Sequence, residues 1–211
     1  MAISVADPLL GILGGTFDPL HIGHLRTVLD VQQALQLSAV HLIPNYIPAH
    51  RETPVLAAQQ RYELLQKAVA DVSGLVADDR EIKRKGTSYM VDTLRDMQQQ
   101  YPQKHLCLII GTDAYNSFCQ WHQWQEIMQM THLIVMQRAG VATMVNEELD
   151  PLLTKEVSDL RKTKAGCVFS LNVSQLEVSS TMLRQMIRQH QSIQFLVPEI
   201  IRSDLQTLYK G

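Results

Sequence analysis

Residues 11–25 read GILGGTFDPLHIGHL, with Leu9 and Leu10 ahead of them. An apolar run ends in two glycines, turns through Phe17-Asp18-Pro19, and brings two histidines three residues apart into a helical pattern. Leu9 to Gly14 has the length and composition of a buried strand. From Ile22 to Gln36 the apolar positions Leu25, Val28, Leu29 and Leu35 recur at helical spacing. Gly14 and Gly15 have no Cβ, so a ligand can come close to their backbone. Their amides, with those of Thr16 and Phe17, suit phosphate oxygens. Pro19 and Gly23 delay the helix, so His21 and His24 fall near its N-terminus, where the dipole favours anions. At i, i+3 both imidazoles can face one side.

Working outward, short apolar runs alternate with longer amphipathic ones. Residues 39–44 and 105–111 (HLCLIIG) read as strands, as do 132–138, and 74–79 (GLVADD) contains a shorter one. Residues 57–72, 89–101, 179–189 and 198–209 read as helices. Near-continuous apolar strands in β-α-β-α order predict an α/β fold, a doubly wound parallel sheet covered on both faces. In such sheets ligands bind beyond the carboxyl ends of the strands. Residues 139–166 are polar, contain Pro151, and read as an excursion or mobile connector with partial helix.

Composition narrows the classes. The chain has 211 residues, 45% hydrophobic, and a net charge of −2. That size fits one domain over 1–211, with a C-terminal helical part over about 177–211. The charge balance provides no global field for nucleic acid, and no apolar run is long enough to span a bilayer. The N-terminus lacks a signal-peptide pattern, so a cytoplasmic location is expected. Cys107, Cys119 and Cys167 are odd in number and widely spaced, against a disulfide framework or a cysteine zinc site.

Two core or capping histidines beside a tight turn would explain the imidazoles alone. A metal site would need a third ligand at suitable spacing. Phosphate binding explains the glycines, the turn and both histidines together. The stretch has no GxxxxGK[ST] and departs from GxGxxG at its later positions. GGTFDPLHIGH (14–24) resembles the (H/T)xGH signature of the nucleotidyltransferase superfamily. HIGH is also the signature of class I aminoacyl-tRNA synthetases, but this chain has no KMSKS and no room for an anticodon domain.

Four more stretches sharpen the resemblance: IPNYIPAHR (43–51), GTSYMVDTL (86–94), IIGTDAYNSFCQWHQW (109–124) and EVSSTMLRQMI (177–187). In this order they resemble bacterial nicotinate mononucleotide adenylyltransferases from about Gly11 to Pro198. The resemblance implies a Rossmann-like nucleotidyltransferase fold. It also implies adenylyl transfer from ATP to nicotinate mononucleotide, in line and without a covalent intermediate, yielding deamido-NAD and pyrophosphate in NAD biosynthesis. His21 and His24 would be catalytic. ATP would be bound by Gly14, Gly15, Thr16, Phe17, His21, His24, Gly111, Asp113, Arg138, Ser180, Thr181 and Arg184. Nicotinate mononucleotide would meet Asn45, Arg51, Thr87, Ser88, Tyr89 and Trp121. An indole face under a cationic pyridinium is favourable. A helix starting at Thr87-Ser88-Tyr89, capped by Ser or Thr, would present amides to the nicotinate carboxylate. Asp113 could bond ribose hydroxyls or cap a helix. Met90 departs from the family, which often has Thr there.

Mg²⁺ is expected with ATP, held by phosphate oxygens and water and not by a protein cage; Asp18 is left to the turn or the metal shell. The expected partners are these two small molecules, with no nucleic acid and no membrane, and a homo-oligomer is compatible. The sister transferases for phosphopantetheine or glycerol phosphate share the first motif but are not expected to carry GTSY with this FxxW spacing. A non-catalytic nucleotide sensor could dispense with the paired histidines, which are intact here.

Overall fold

The structure is a computed structural model that describes residues 9–49, 53–137 and 146–210. Its first half runs β1 (Leu9–Gly15), α1 (Ile22–Leu35), β2 (Val40–Pro44), β3 (Ile47–Pro48), α2 (Ala58–Val69), β4 (Leu75–Ala77), α3 (Arg80–Arg84), β5 (Thr87–Ser88) and α4 (Met90–Gln100). Then come β6 (His105–Gly111), α5 (Thr112–Asn116), α6 (Trp124–Met130), β7 (Thr131–Gln137), β8 (Leu153–Thr154), α7 (Asp159–Lys162), β9 (Val168–Asn172), α8 (Ser180–Arg188) and α9 (Glu199–Leu208).

Seven strands form one sheet in the order β4-β2-β1-β6-β7-β9-β8. All of its neighbours pair in parallel, as the alternation predicts. The two-fold period of the strands divides the core. Leu9 and Leu13 of β1 and Ile109 of β6 pack with Val28, Val31 and Leu35 of α1. Leu10, Ile12, Leu108 and Ile110 point the other way, to Val91, Leu94 and Met97 of α4 and Ile127 of α6. Both faces are covered, so the strands read as unbroken apolar runs. Each fully buried aliphatic side chain contributes about 1.5–3 kcal/mol. Leu183 and Ile187 of α8 and Ile201 and Leu205 of α9 join the same cluster as Leu9.

The chain winds to β2 and β4 on one side of β1, and to β6, β7, β9 and β8 on the other. The direction reverses between β1 and β6, whose carboxyl ends are Gly15 and Gly111. The crevice beyond them is the topological switch point of the sheet.

Two expectations change. The segment 139–166 is no mere excursion over its described part, 146–166. β8 adds to the sheet beside β9, and α7 follows. Leu149 and Leu160 are fully buried and anchor this stretch. Secondly, Thr87 and Ser88 do not open a helix. They are β5, paired with Ile47 and Pro48 of β3, and Tyr89 is the N-cap of α4 without a side-chain cap bond. The Ser88 hydroxyl is used elsewhere: its Oγ accepts from the Tyr46 N–H at 2.9 Å. All three cysteines are free thiols. Among the described residues no helix is long and apolar enough to cross a membrane.

Candidate active site

The β1–α1 junction builds the centre of the site. His21 is the extended N-cap of α1, and its Nδ1 accepts from the His24 N–H at 3.4 Å. His24 Nδ1 accepts in return from the His21 N–H at 3.3 Å. The two rings stack with centroids 3.7 Å apart. Each imidazole uses Nδ1 as an acceptor, so in the neutral form the proton sits on Nε2. The pair thus forms a reciprocal capping box and makes each Nε2 a donor.

Two glycines are required by contact. A Cβ on Gly23 would lie 2.9 Å from His21 Nδ1, and one on Gly15 would lie 2.9 Å from Phe17 Cζ. Phe17 itself has φ 49°, and its ring meets the His24 ring edge-on at 5.4 Å.

The start of α8 closes on the same turn. Ser180 Oγ donates to Pro19 O at 2.9 Å, across 161 positions of sequence. Arg184 Nη1 donates to Asp18 O at 2.6 Å, and Nη2 donates to Thr181 Oγ1 at 3.2 Å. Ser179 caps the helix by accepting from Met182 N–H. Asp18 is not turned to the crevice as a ready metal ligand. Its buried carboxylate accepts from Val55 N–H at 2.7 Å, Leu56 N–H at 3.2 Å and the Tyr209 hydroxyl. Burial first, and then the bond to Asp18, push the Tyr209 hydroxyl far above its ordinary value.

Asn45 sits at the end of β2 against the glycine turn. Its N–H donates to Gly15 O at 3.0 Å and its Nδ2 to Thr16 Oγ1 at 3.2 Å. Its Oδ1 accepts from Arg61 Nη1 at 3.2 Å. Across from it, Tyr89 lies at the head of α4 with its ring 4.5 Å from that of His122. Trp121 is half-buried and leans on Phe118 at 5.4 Å between centroids. Arg95 of α4 grips Glu126 of α6 at 2.7 and 2.8 Å and donates to Gln123 Oε1, so the Trp121 loop is held beside α4. Beneath Ser88 lies Glu81, 3% exposed. Burial raises its carboxyl, while bonds from Thr93 and Ser88 oppose the rise.

Past the end of β6, Gly111 is the N-cap of α5, and Asp113 is exposed in its first turn. The N-cap alternative for Asp113 is therefore not realised. Thr112 anchors the turn by donating to Met136 O. Arg51 and Arg138 lie outside the described residues. Sequence reasoning missed Arg61, Glu81 and Tyr209. A signal for two of them is present. Arg61 is in phase with Leu64, Leu65 and Ala68, and Tyr209 with Leu205, so each lies on a buried stripe.

A glycine turn and paired imidazoles at the switch point of a parallel sheet meet a comparison with known proteins directly. Residues 12–186 match the cytidylyltransferase-like family, so fold and site define a nucleotidyltransferase-type protein. The chain is 41% identical over 218 residues to a probable nicotinate-nucleotide adenylyltransferase of Acidithiobacillus ferrooxidans, covering all of both chains. It is 38% identical to one from Halorhodospira halophila, over 92% of this chain and 90% of that one. The chain belongs to the nicotinate-nucleotide adenylyltransferase family. In three dimensions it is similar to Plasmodium falciparum nicotinic acid mononucleotide adenylyltransferase complexed with NaAD. The TM-score there is 0.71 at 14% identity, over 96% of this chain and 97% of that one.

Proposed function

We propose that the protein transfers the adenylyl group of ATP to nicotinate mononucleotide, giving deamido-NAD and pyrophosphate. The observation that carries the reading is the His21–His24 pair at the head of α1, joined through the Asp18–Pro19 turn to the Ser180–Arg184 helix start. The nucleophile is a mononucleotide phosphate oxygen, already ionised, so no general base is needed. It attacks the α-phosphorus in line. The new O–Pα bond forms as the bond to the β-phosphate bridging oxygen breaks, and pyrophosphate leaves with that electron pair.

The protein positions two anions and stabilises the charge that develops between them. His21 and His24 donate from Nε2 to α- and β-phosphate oxygens, more strongly as the transition state forms. Gly14, Gly15, Thr16 and Phe17 give backbone amides to the triphosphate. Ser180, Thr181, Arg184 and Arg138 hold its far end. Two Arg184 N–H groups are committed to Asp18 O and Thr181, and three of a guanidinium's five remain for phosphate. Gly111 and Asp113 receive the adenosine ribose.

On the acceptor side, Trp121 stacks on the pyridine ring. Thr87 and Ser88 of β5 and Tyr89 at the head of α4 are assigned to the nicotinate carboxylate. Asn45 retains a second amide hydrogen for the mononucleotide, and Arg51 takes its phosphate. ATP enters as its Mg²⁺ complex. The Asp18 carboxylate is taken up by Val55, Leu56 and Tyr209, so the metal is assigned to phosphate oxygens and water. Three free thiols support a reducing compartment, the cytoplasm.

The test is pyrophosphate release from ATP-Mg²⁺ with nicotinate mononucleotide, phosphopantetheine or glycerol phosphate, the last also with CTP. Product with nicotinate mononucleotide is expected; product only with another acceptor, or none, overturns the reading. His21→Ala and His24→Ala should each lower kcat by about 10²-fold. Near-normal turnover by both folded variants refutes their role.

A further inference from the structure

One cation is buried at the seam between the two substrate loops. Arg61, in the first turn of α2, is 1% exposed, and its guanidinium spans three segments. Nη1 donates to Thr16 O at 2.6 Å and Asn45 Oδ1 at 3.2 Å. Nη2 donates to Asn45 O at 2.6 Å and reaches Tyr46 O at 3.5 Å. Nε donates to Leu56 O at 3.2 Å. Thr16 continues the glycine turn assigned to the triphosphate, and Asn45-Tyr46 belongs to the segment assigned to the mononucleotide.

The connection does not stop there. Asn45 bonds back to Gly15 and Thr16, and Tyr46 N–H passes the link to Ser88 in β5. A chain of hydrogen bonds therefore runs from the triphosphate turn, through Arg61, to the start of α4. Burying a guanidinium among carbonyl oxygens is an expensive way to fill a core position that Leu or Met could occupy. Burial draws its proton affinity down, and the charges of Asp18, Tyr209 and Glu81 oppose this. What the arginine supplies that an apolar residue cannot is a rigid planar fork between two backbones.

We propose that Arg61 is a positioning residue that sets the distance between the triphosphate turn and the loop presenting the attacking mononucleotide. The inference rests on the assignment of those two loops to the two substrates. It separates binding from chemistry. Each loop keeps its own ligand groups when Arg61 is changed, but the attacking oxygen and the α-phosphorus no longer meet in line.

Arg61→Lys and Arg61→Met test it beside the wild type. The readouts are kcat, thermal midpoint, and Kd of each ligand alone, namely a non-hydrolysable α,β-methylene ATP analogue and nicotinate mononucleotide. Arg61→Lys should lower kcat by about 10²-fold and leave both Kd values within about three-fold, the signature of lost alignment. Arg61→Met, which keeps the bulk and removes the whole fork, should lower kcat by at least as much in the same pattern. A folded Arg61→Lys enzyme with a lower thermal midpoint but kcat within about three-fold of wild type overturns the proposal and leaves the residue a purely structural support. A kcat loss matched by weaker binding of one ligand also overturns it, because Arg61 then serves one subsite. Should Arg61→Lys fail to fold, Arg61→Met decides by the same criteria. Wild-type turnover reports separately on the reaction: no product with nicotinate mononucleotide refutes the two-substrate reading, whereas undiminished product from Arg61→Lys refutes only the role of Arg61.

Discussion

Gly23→Ala keeps both histidines and displaces one of them. The added Cβ would fall 2.9 Å from His21 Nδ1 and 3.1 Å from Cε1, against a comfortable separation of roughly 3.5 Å. The ring must retreat by roughly half an ångström. Its Nδ1 already accepts from the His24 N–H at the long distance of 3.4 Å, so retreat breaks that arm of the capping box and displaces the Nε2 donor from the place proposed for it beside the phosphate oxygens. A misplacement on the scale of one ångström costs up to about 10²-fold in rate, so kcat should fall between about 10- and 100-fold. Stability moves differently. Gly23 lies inside α1, and Ala in place of Gly in a helix is favourable by about 0.5–1 kcal/mol, which offsets part of the steric cost. The assay is pyrophosphate release at saturating substrates, alongside a thermal midpoint by calorimetry. Depressed turnover in an enzyme only slightly less stable than wild type is the expected result. A kcat within about two-fold of wild type refutes the claim that this ring's seat on α1 governs the rate.

Tyr209→Phe removes the hydroxyl that donates to the buried Asp18 carboxylate, and should lower unfolding free energy by about 1.5–3 kcal/mol in urea titrations. An unchanged midpoint there would show that the bond contributes nothing net. Asp78 makes a prediction in acid. Burial opposes its charge, but bonds from His41 Nδ1 and Arg80 outweigh this and hold its carboxyl down at about 2, from an ordinary 3.8. Because the folded value is the lower one, the stabilisation, about 2 kcal/mol, is complete above pH 4 and is lost as pH falls toward 2. The stability gap between wild type and Asp78→Asn should therefore shrink steadily below pH 4; a constant gap from pH 7 to pH 2.5 would contradict it.

Much of this was readable in the residues because it is local. A strand with period two, a glycine turn and a helix with period 3.6 are each written within fifteen consecutive positions, and Leu9 to Leu35 folds as its pattern says. The meeting of Ser180 and Arg184 with Asp18-Pro19 was not local, and only the motif resemblance anticipated it. Arg61 was hidden for a different reason. In AQQRYELLQKAV an arginine looks like part of the solvated face, and only its phase with Leu64 and Leu65 betrays it. Thr87-Ser88 looked like a helix cap because Ser and Thr favour that place. Their pairing with Ile47-Pro48 depends on a loop 40 residues upstream. Leu149, Leu152, Leu153 and Leu160 share a helical spacing, but Pro151 interrupts it and Leu152 and Leu153 are exposed, so spacing alone did not single out the two buried leucines.

The bond between Tyr209 and Asp18 spans 191 residues, and this gives the site a schedule. During synthesis the glycine turn and both histidines emerge early, together with a carboxylate whose hydroxyl partner does not yet exist. At roughly 5–20 residues per second the ribosome delivers Tyr209 some 10–40 s later. Until then α9 cannot dock and the turn beside the histidines remains unsealed. The turn that carries both histidines is thus made well before the residue that seals it. Sealing of the turn beyond β1 is therefore a late event in the making of each molecule, timed by translation.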